Sequence, residues 1–351
     1  MKNLYKVAVI IPSWNSSQFI GSTLDCLENQ TFQDWKVFVV DDQSTDSSVE
    51  IVQKCHKRDK RIEAVIRNRM PKGAQTCRNI GFELSKDAEY VIWLDADDLI
   101  APYCLEQRVA YMNRHPELDF GIFPAITFQE HIWEDTGWCY GFPFFEDSLK
   151  AMLSWTLPMV GWTNIYRRQS LLESGHHWDE KLLSLQDSDF NIQSILLGLR
   201  FDYAVKEGAR VDYFYRSKSD IQRVSSKIRT KEHFDSHLYL LSKLSTSFMQ
   251  TKEEEMKQNI EMYHFKFAQL FKMSNEHYAK FLQLPWIKQN KFFRLKLILW
   301  EKIDFRCFNH PLLFRKLCKL ESMNQNNWGS KVKEEYKRSL NKHRILSESY
   351  L

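Results

Sequence analysis

The sequence predicts an α/β protein: a mostly parallel sheet flanked by helices, followed by a C-terminal helical extension. Three observations carry that prediction. Across the first 130 residues, short β-branched runs alternate with amphipathic segments, as in strands joined by crossover helices. Polar and acidic residues gather just after those runs, where parallel sheets bind their ligands. From about Lys231 the chain turns to helical patterning, with no glycine until Gly329.

In order along the chain, Val7–Ile11 (VAVII) is a continuous β-branched run, as in a strand covered on both faces. Phe19, Ile20, Leu24 and Leu27 follow at helical spacing. Lys36–Val40 is predicted as the second strand. Ser44, Thr45 and Asp46 offer N-caps for a helix carrying Val49, Ile51 and Val52. A third strand is predicted at Ile62–Ile66, a helix at Gly73–Leu84 and a fourth strand at Tyr90–Leu94. A helix from Pro102 to His115 would start with proline in its first turn. Between 118 and 225 the pattern is less regular and rich in tryptophan (Trp133, Trp138, Trp155, Trp162, Trp178). Short strands are predicted there at 120–128, 163–167, 201–205 and 211–215, with a helix over 188–197.

At 351 residues, 43% hydrophobic and 14% aromatic, the chain can bury one large core plus an appendage, or two cores. A net charge of +4 gives no general affinity for nucleic acid. The first apolar run is five residues long and leads into PSWN, so no secretory leader is expected. No apolar window reaches the ~18–20 residues of a membrane span. The seven cysteines are odd in number and lack any CxxC pair, which predicts reduced thiols in a cytoplasmic protein.

The chemistry starts at VIWLDADDLI (91–100), where an apolar run ends in Asp95, Asp97 and Asp98. Two carboxylates roughly 5 Å apart repel by about 3 kcal/mol at an effective dielectric near 20. A divalent cation would cancel that, and alternate positions let Asp95 and Asp97 face it together. Hard oxygen ligands select Mg²⁺ or Mn²⁺. The competing reading is a helix cap, which suits Asp98. In VVDDQSTD (39–46), Asp41 and Asp42 end another strand on the same rim. A carboxylate there can accept hydrogen bonds from a pyrimidine N–H or from ribose hydroxyls. Its alternative is a turn before an N-cap, which fits Ser44–Asp46 better than the paired aspartates.

Residues 5–125 resemble, in order and spacing, the amino-terminal half of family-two glycosyltransferases. The resemblance rests on VAVIIPSWNSSQFIGSTLDCLENQTFQDWKVFVVDDQSTDSS and KGAQTCRNIGFELSKDAEYVIWLDADDLIAPYCLE, and continues more faintly to about 225. It implies a GT-A fold over 1–228, with a nucleotide-binding half at 1–125 and an acceptor half at 126–228. Residues 229–351 would be the helical, basic extension. It also implies that Pro12, Ser13 and Asn15 belong to the loop cradling the nucleotide and that Asp42 holds the base. Arg78 would lie near the nucleotide and its phosphates, with Asn79 and Gly81 supporting that turn. Asp95 would sit nearer the ribose and sugar, while Asp97 would bind Mn²⁺ or Mg²⁺. In LLSLQDSDF (182–190), the family's Glu-Asp pair is Gln186-Asp187, which makes Asp187 the catalytic base and leaves Asp189 to cap the helix. One departure stands out: in YRSKSD, Lys218 occupies a position where family members often carry a metal-ligating histidine. A lysine would neutralise phosphate charge instead.

The implied function is an inverting transfer of sugar from a nucleotide-diphosphate donor, UDP-linked, to a hydroxyl of a glycan or lipid-linked saccharide. Trp162, with Asn164 and Tyr166, offers either an acceptor platform or core packing. His176 and His177 read as a surface loop. Within 288–319, nine basic residues face two acidic ones, interleaved with Phe292, Phe293, Leu295 and Trp300. This tail would either lie against an anionic membrane at the inner face of the cell membrane or pack on the catalytic domain. Two rival readings are a nucleotidyltransferase, which would carry a glycine-rich basic loop where IPSWNSS stands, and a non-catalytic binding protein retaining the fold.

Overall fold

In β1 (Tyr5–Ser13) the alternation of side chains feeds two cores at once, because successive residues of a strand point to opposite faces. Ala8 and Ile10 enter one core, and Val7, Val9 and Ile11 enter the other. The computed structural model describes residues 5–129, 132, 139–143, 146–153, 157–217, 230–249, 254–270 and 275–302. After β1 come α1 (Ile20–Glu28), β2 (Trp35–Asp41), α2 (Ser48–Arg58), β3 (Ile62–Ile66), α3 (Ala74–Leu84) and β4 (Ala88–Trp93), the expected alternation. Next are β5 (Leu99–Ile100), α4 (Cys104–Arg114), β6 (Phe120–Ile122), β7 (Ala125–Phe128), β8 (Cys139–Tyr140) and α5 (Ser148–Leu153). The order continues with β9 (Asn164–Arg167), α6 (Arg168–Glu173), α7 (Gln186–Leu196), β10 (Phe201–Tyr203) and β11 (Tyr213–Arg216).

Seven strands form the main sheet in the order β10-β6-β9-β4-β1-β2-β3. All its pairings are parallel except the two that β9 makes with β4 and β6. A second sheet runs β5-β11-β7-β8. The strand expected over 120–128 is therefore two strands in two sheets. Pro124 is the reason: it has no N–H to continue a ladder, and its carbonyl instead accepts from the Asp212 N–H at 3.2 Å. The helix expected from Pro102 starts two residues later, after a turn closed by the Cys104 N–H on the Ala101 carbonyl at 2.9 Å. Arg108 of α4 ties the two sheets together. Fully buried, it pairs with Asp212 at 2.7 Å and reaches the Trp162 carbonyl at 3.1 Å.

The C-terminal part is helical, as expected: α8 (Lys231–Phe248), α9 (Glu254–Leu270), α10 (Asn275–Phe281), α11 (Pro285–Gln289) and α12 (Lys291–Lys302). Leu241, Ile260, Phe267, Phe281, Ile287, Phe293 and Leu297 join the same core as Ile10, Trp93 and Phe190. On α12, Phe293 and Leu297 point inward, whereas Phe292 is 68% and Leu295 51% exposed. No helix among the described residues is long and apolar enough to cross a membrane. The rest of the basic tail, from Ile303, lies outside the described residues.

Candidate active site

The polar residues after β1, β2 and β4 meet at one end of the main sheet. Pro12 and Ser13 are the last residues of β1 and are buried. The Ser13 carbonyl accepts from the Asp42 N–H at 2.7 Å. Asn15 adopts φ 48°, a left-handed conformation that asparagine tolerates better than most residues. Its N–H donates to Ser44 Oγ at 2.8 Å and its Oδ1 accepts from the Thr45 N–H at 2.9 Å. Asp41 accepts from the Ser44 N–H and hydroxyl at 2.7 and 2.6 Å. The residues expected to cap α2 thus stitch two loops together instead. Only Asp46 works at the helix start, accepting from the Ser48 N–H while also taking the Ser17 N–H, both at 3.0 Å.

Asp42 forms an ion pair with Arg67, a buried residue just past β3. Arg67 is absent from the residues the sequence singles out, although it directly follows β3 and so stands at a strand end as Asp42 does.

The three aspartates after β4 have separate environments. Asp95 and Asp97 are half-buried on the rim. Asp98 is fully buried and accepts from the Tyr213 hydroxyl and the Arg216 N–H, both at 2.7 Å. Burial, together with Asp97 and Asp95, pushes its carboxyl well above the ordinary carboxylate range. It does not cap a helix, contrary to expectation, because β5 follows directly and α4 starts only at Cys104. The Tyr213 hydroxyl also accepts from the Asp95 N–H at 3.3 Å, and Arg216 Nε donates to the Asp97 carbonyl at 2.8 Å. Strand β11 therefore clamps the acidic turn.

Arg78, buried on α3, joins this turn to the start of α7. Its Nη2 donates to Asp95 at 2.8 Å and its Nη1 to Gln186 Oε1 at 3.0 Å, while the guanidinium lies 4.5 Å from the Trp178 ring centre. Gln186 in turn donates to Gln75 at 2.8 Å. Next to Gln186, Asp187 Oδ1 accepts from the Gly161 N–H at 3.0 Å. Glycine is required there by close approach: a Cβ would stand 2.8 Å from that oxygen and 2.7 Å from the Trp178 ring. Burial pushes the Asp187 carboxyl up, Arg78 pulls it down and Asp95 pushes it up further. Asn79 holds the Trp178 N–H and carbonyl at 3.0 and 2.9 Å.

Three expectations change. Asp189 is not a cap: it is buried and paired with Lys243 of α8 at 2.7 Å. His176 is not on a surface loop but buried, stacked on Phe190 at 4.0 Å, with Nε2 3.0 Å from the Phe190 carbonyl and 2.9 Å from Ser194 Oγ. Burial brings its imidazole down to about 3, so it stays neutral. His177 is exposed, as expected. Trp162 is 4% exposed and stacks on Tyr213 at 4.4 Å and Tyr215 at 5.3 Å. Its indole is committed to packing rather than to a sugar platform, and Asn164 and Tyr166 are buried with it. Lys218, Trp133, Trp138 and Trp155 lie outside the described residues.

Among the described residues no group of three or more His, Cys, Asp or Glu side chains converges. Asp95 and Asp97 are an oxygen-only pair on the rim, which suits a hard cation that completes its shell with water and phosphate. The five described cysteines are unpaired thiols. Burial pushes Cys77 up to about 12, which removes it as a nucleophile.

Residues 8–175 match the model of the family described as Glycosyl transferase family 2. The poly(ribitol-phosphate) beta-glucosyltransferase of Bacillus spizizenii is 34% identical over 235 residues, covering 65% of this chain and 35% of the relative. The poly(ribitol-phosphate) beta-N-acetylglucosaminyltransferase TarS of Staphylococcus aureus is 26% identical over 243 residues, covering 66% and 39%. The chain thus spans well under half the length of these relatives. The crystal structure of S. aureus TarS 1–349 in complex with UDP-GlcNAc matches with a TM-score of 0.60 at 21% identity, covering 95% of this chain and 92% of that one. The two share the GT-A fold.

Proposed function

Because residues 8–175 place the chain in glycosyl transferase family 2, we propose that it moves a sugar from a UDP-linked donor to a hydroxyl of a polyol-phosphate glycan or lipid-linked saccharide, inverting the anomeric centre. The observation that carries this reading is the Arg78 hub. One buried guanidinium bonds Asp95 at the acidic turn and Gln186 beside Asp187, so donor-side and base-side carboxylates share a rim.

Each residue then has a task. Asp42, oriented by Arg67, accepts from the base, and Pro12, Ser13 and Asn15 shape the loop beneath the nucleotide. Arg78 stabilises charge developing on the departing diphosphate from a buried position, where such an interaction is strong. Asp187 takes the acceptor hydroxyl's proton as the bond to the anomeric carbon forms, and its raised pKa makes it a better base than an ordinary carboxylate. Attack from the face opposite the leaving group inverts that carbon. Asp97, with Asp95, would hold Mn²⁺ or Mg²⁺, matching their oxygen-only chemistry. When bound, such an ion neutralises diphosphate charge.

The acceptor class follows from the relatives' names, both poly(ribitol-phosphate) transferases, and points to cell-envelope polysaccharide assembly. The test is incubation with Mn²⁺, poly(ribitol phosphate) and a panel of UDP-sugars starting with UDP-GlcNAc and UDP-glucose. UDP release and a matching mass increase of the polymer are expected, both suppressed by EDTA. Release of pyrophosphate from UTP and a sugar phosphate, with no UDP from any donor, would sink the reading.

A further inference from the structure

The turn that delivers Asp187 is strained and held from two sides. Leu185, which precedes α7, sits at φ 57°, a conformation unfavourable for a bulky side chain. On the α3 side, Asn79 brackets Trp178, Gln75 donates to the Glu180 carbonyl at 3.2 Å and Arg69 pairs with the Glu180 carboxylate at 2.6 Å. On the other side stands α8, from the C-terminal extension. There Ser236 Oγ accepts from the Leu183 N–H at 2.9 Å, and His237 Nε2 meets the Ser184 hydroxyl at 2.6 Å. The Tyr239 hydroxyl reaches Asp179 at 3.0 Å. Lys243 Nζ lies 2.8 Å from Asp179 and 2.7 Å from Asp189.

The two carboxylates that Lys243 bridges lie at the two ends of this turn. Asp189 is two residues past Asp187 in the first turn of α7, and its side chain is 3% exposed. An unpaired carboxylate so deeply buried is strongly unfavourable. Burial pushes its carboxyl up while Lys243 pulls it down. Without the ammonium, Asp189 would have to take a proton or draw α7 toward water.

We propose that Lys243 is a positioning residue for sugar transfer: by bridging Asp179 and Asp189 it holds the start of α7, and Asp187 with it, against Gly161 and Arg78. The proposal rests on Asp187 being the base. It makes the C-terminal helices a working part of the active site.

The test uses the full chain with UDP-GlcNAc and poly(ribitol phosphate), together with UDP binding by calorimetry and a thermal melt. Lys243→Met is expected to lower kcat at least tenfold, since small misplacements of reacting groups are expensive in rate. KM for UDP-GlcNAc and Kd for UDP should stay within about threefold, because the Asp42 and Asp95 side of the rim is untouched. Lys243→Arg should restore most of kcat, as a guanidinium can span the same two carboxylates. A lysine that only stabilised the fold would reduce the folded fraction and leave its kcat unchanged. Wild-type kcat in Lys243→Met beside an inactive Asp187→Asn overturns the positioning role and spares the base. Wild-type kcat in Asp187→Asn overturns the base and this proposal together. Should Lys243→Met fail to fold, Asp179→Asn removes one arm of the bridge and should lower kcat less, with KM unchanged; wild-type kcat there also overturns the proposal.

Discussion

At Asp187, burial and the Asp95 carboxylate pull against the Arg78 guanidinium, and the balance decides how the residue works. Burial and Asp95 raise its pKa while Arg78 lowers it, with a net rise. The folded group therefore keeps its proton to higher pH than the unfolded chain does. It favours the fold below the ordinary carboxylate value, and that contribution is lost as pH rises through the folded value. Two outcomes follow. The acidic limb of the kcat–pH profile should lie above the ordinary carboxylate range, because the base must be ionised to act. Asp187→Asn should transfer sugar roughly 10²- to 10⁴-fold more slowly, bind UDP nearly as well, and melt at pH 7 no lower than the wild type. An unshifted limb and a fully active Asn variant would remove Asp187 as base. The neighbouring residues show what spacing cannot resolve. Asp95, Asp97 and Asp98 look equivalent in DADD, yet Asp98 is taken by Tyr213 and Arg216, partners more than a hundred residues away.

Among the elements, the acidic turn depends on β11, which is held to the rest by Arg108 of α4. That guanidinium and Asp212 are both fully buried. Removing one member of such a pair strands the other charge in a low dielectric and typically costs about 3–5 kcal/mol. Arg108→Met should lower stability by about that amount in urea unfolding, with little change in m. A loss below about 1 kcal/mol would mean the clamp is held by other contacts. The split at Pro124 belongs to the same scale. The apolar content of 120–128 was legible in the sequence, but the change of sheet follows from a missing N–H and from Asp212 waiting to use the proline carbonyl.

Over the whole molecule, the helical extension and the main sheet share one core, while one face of α12 looks outward. Phe292 and Leu295 are exposed on it; the exposed Lys291 precedes Phe292 in the chain, and Lys296 Nζ lies 4.6 Å from the Phe292 ring centre. An aromatic and a leucine flanked by lysines suit an anionic lipid surface. Phe292→Ser with Leu295→Ser should therefore reduce binding to phosphatidylglycerol vesicles at low salt without altering the thermal melt. Equal partitioning of variant and wild type would discard membrane contact through this face. Both faces of the tail were visible in its composition. Their assignment was not, because hydrophobic spacing marks an amphipathic helix without saying which apolar residues a neighbour will cover.

Local chemistry that repeats along the chain was decided by the sequence alone. β-branched runs at regular spacing demand a covered parallel sheet, and strand ends carrying Asp42, Asp95 and Asp97 bring acidic groups to one rim, the edge at which such sheets in general take ligands. What only the tertiary structure decided are pairings between distant residues: Arg67 with Asp42, Arg78 with Asp95 and Gln186, and Lys243 with Asp179 and Asp189. Each lies 17 or more positions apart in the chain. Their partners are chosen by how sheet, loops and helices pack, since a buried charge takes whichever opposite charge the fold brings within reach.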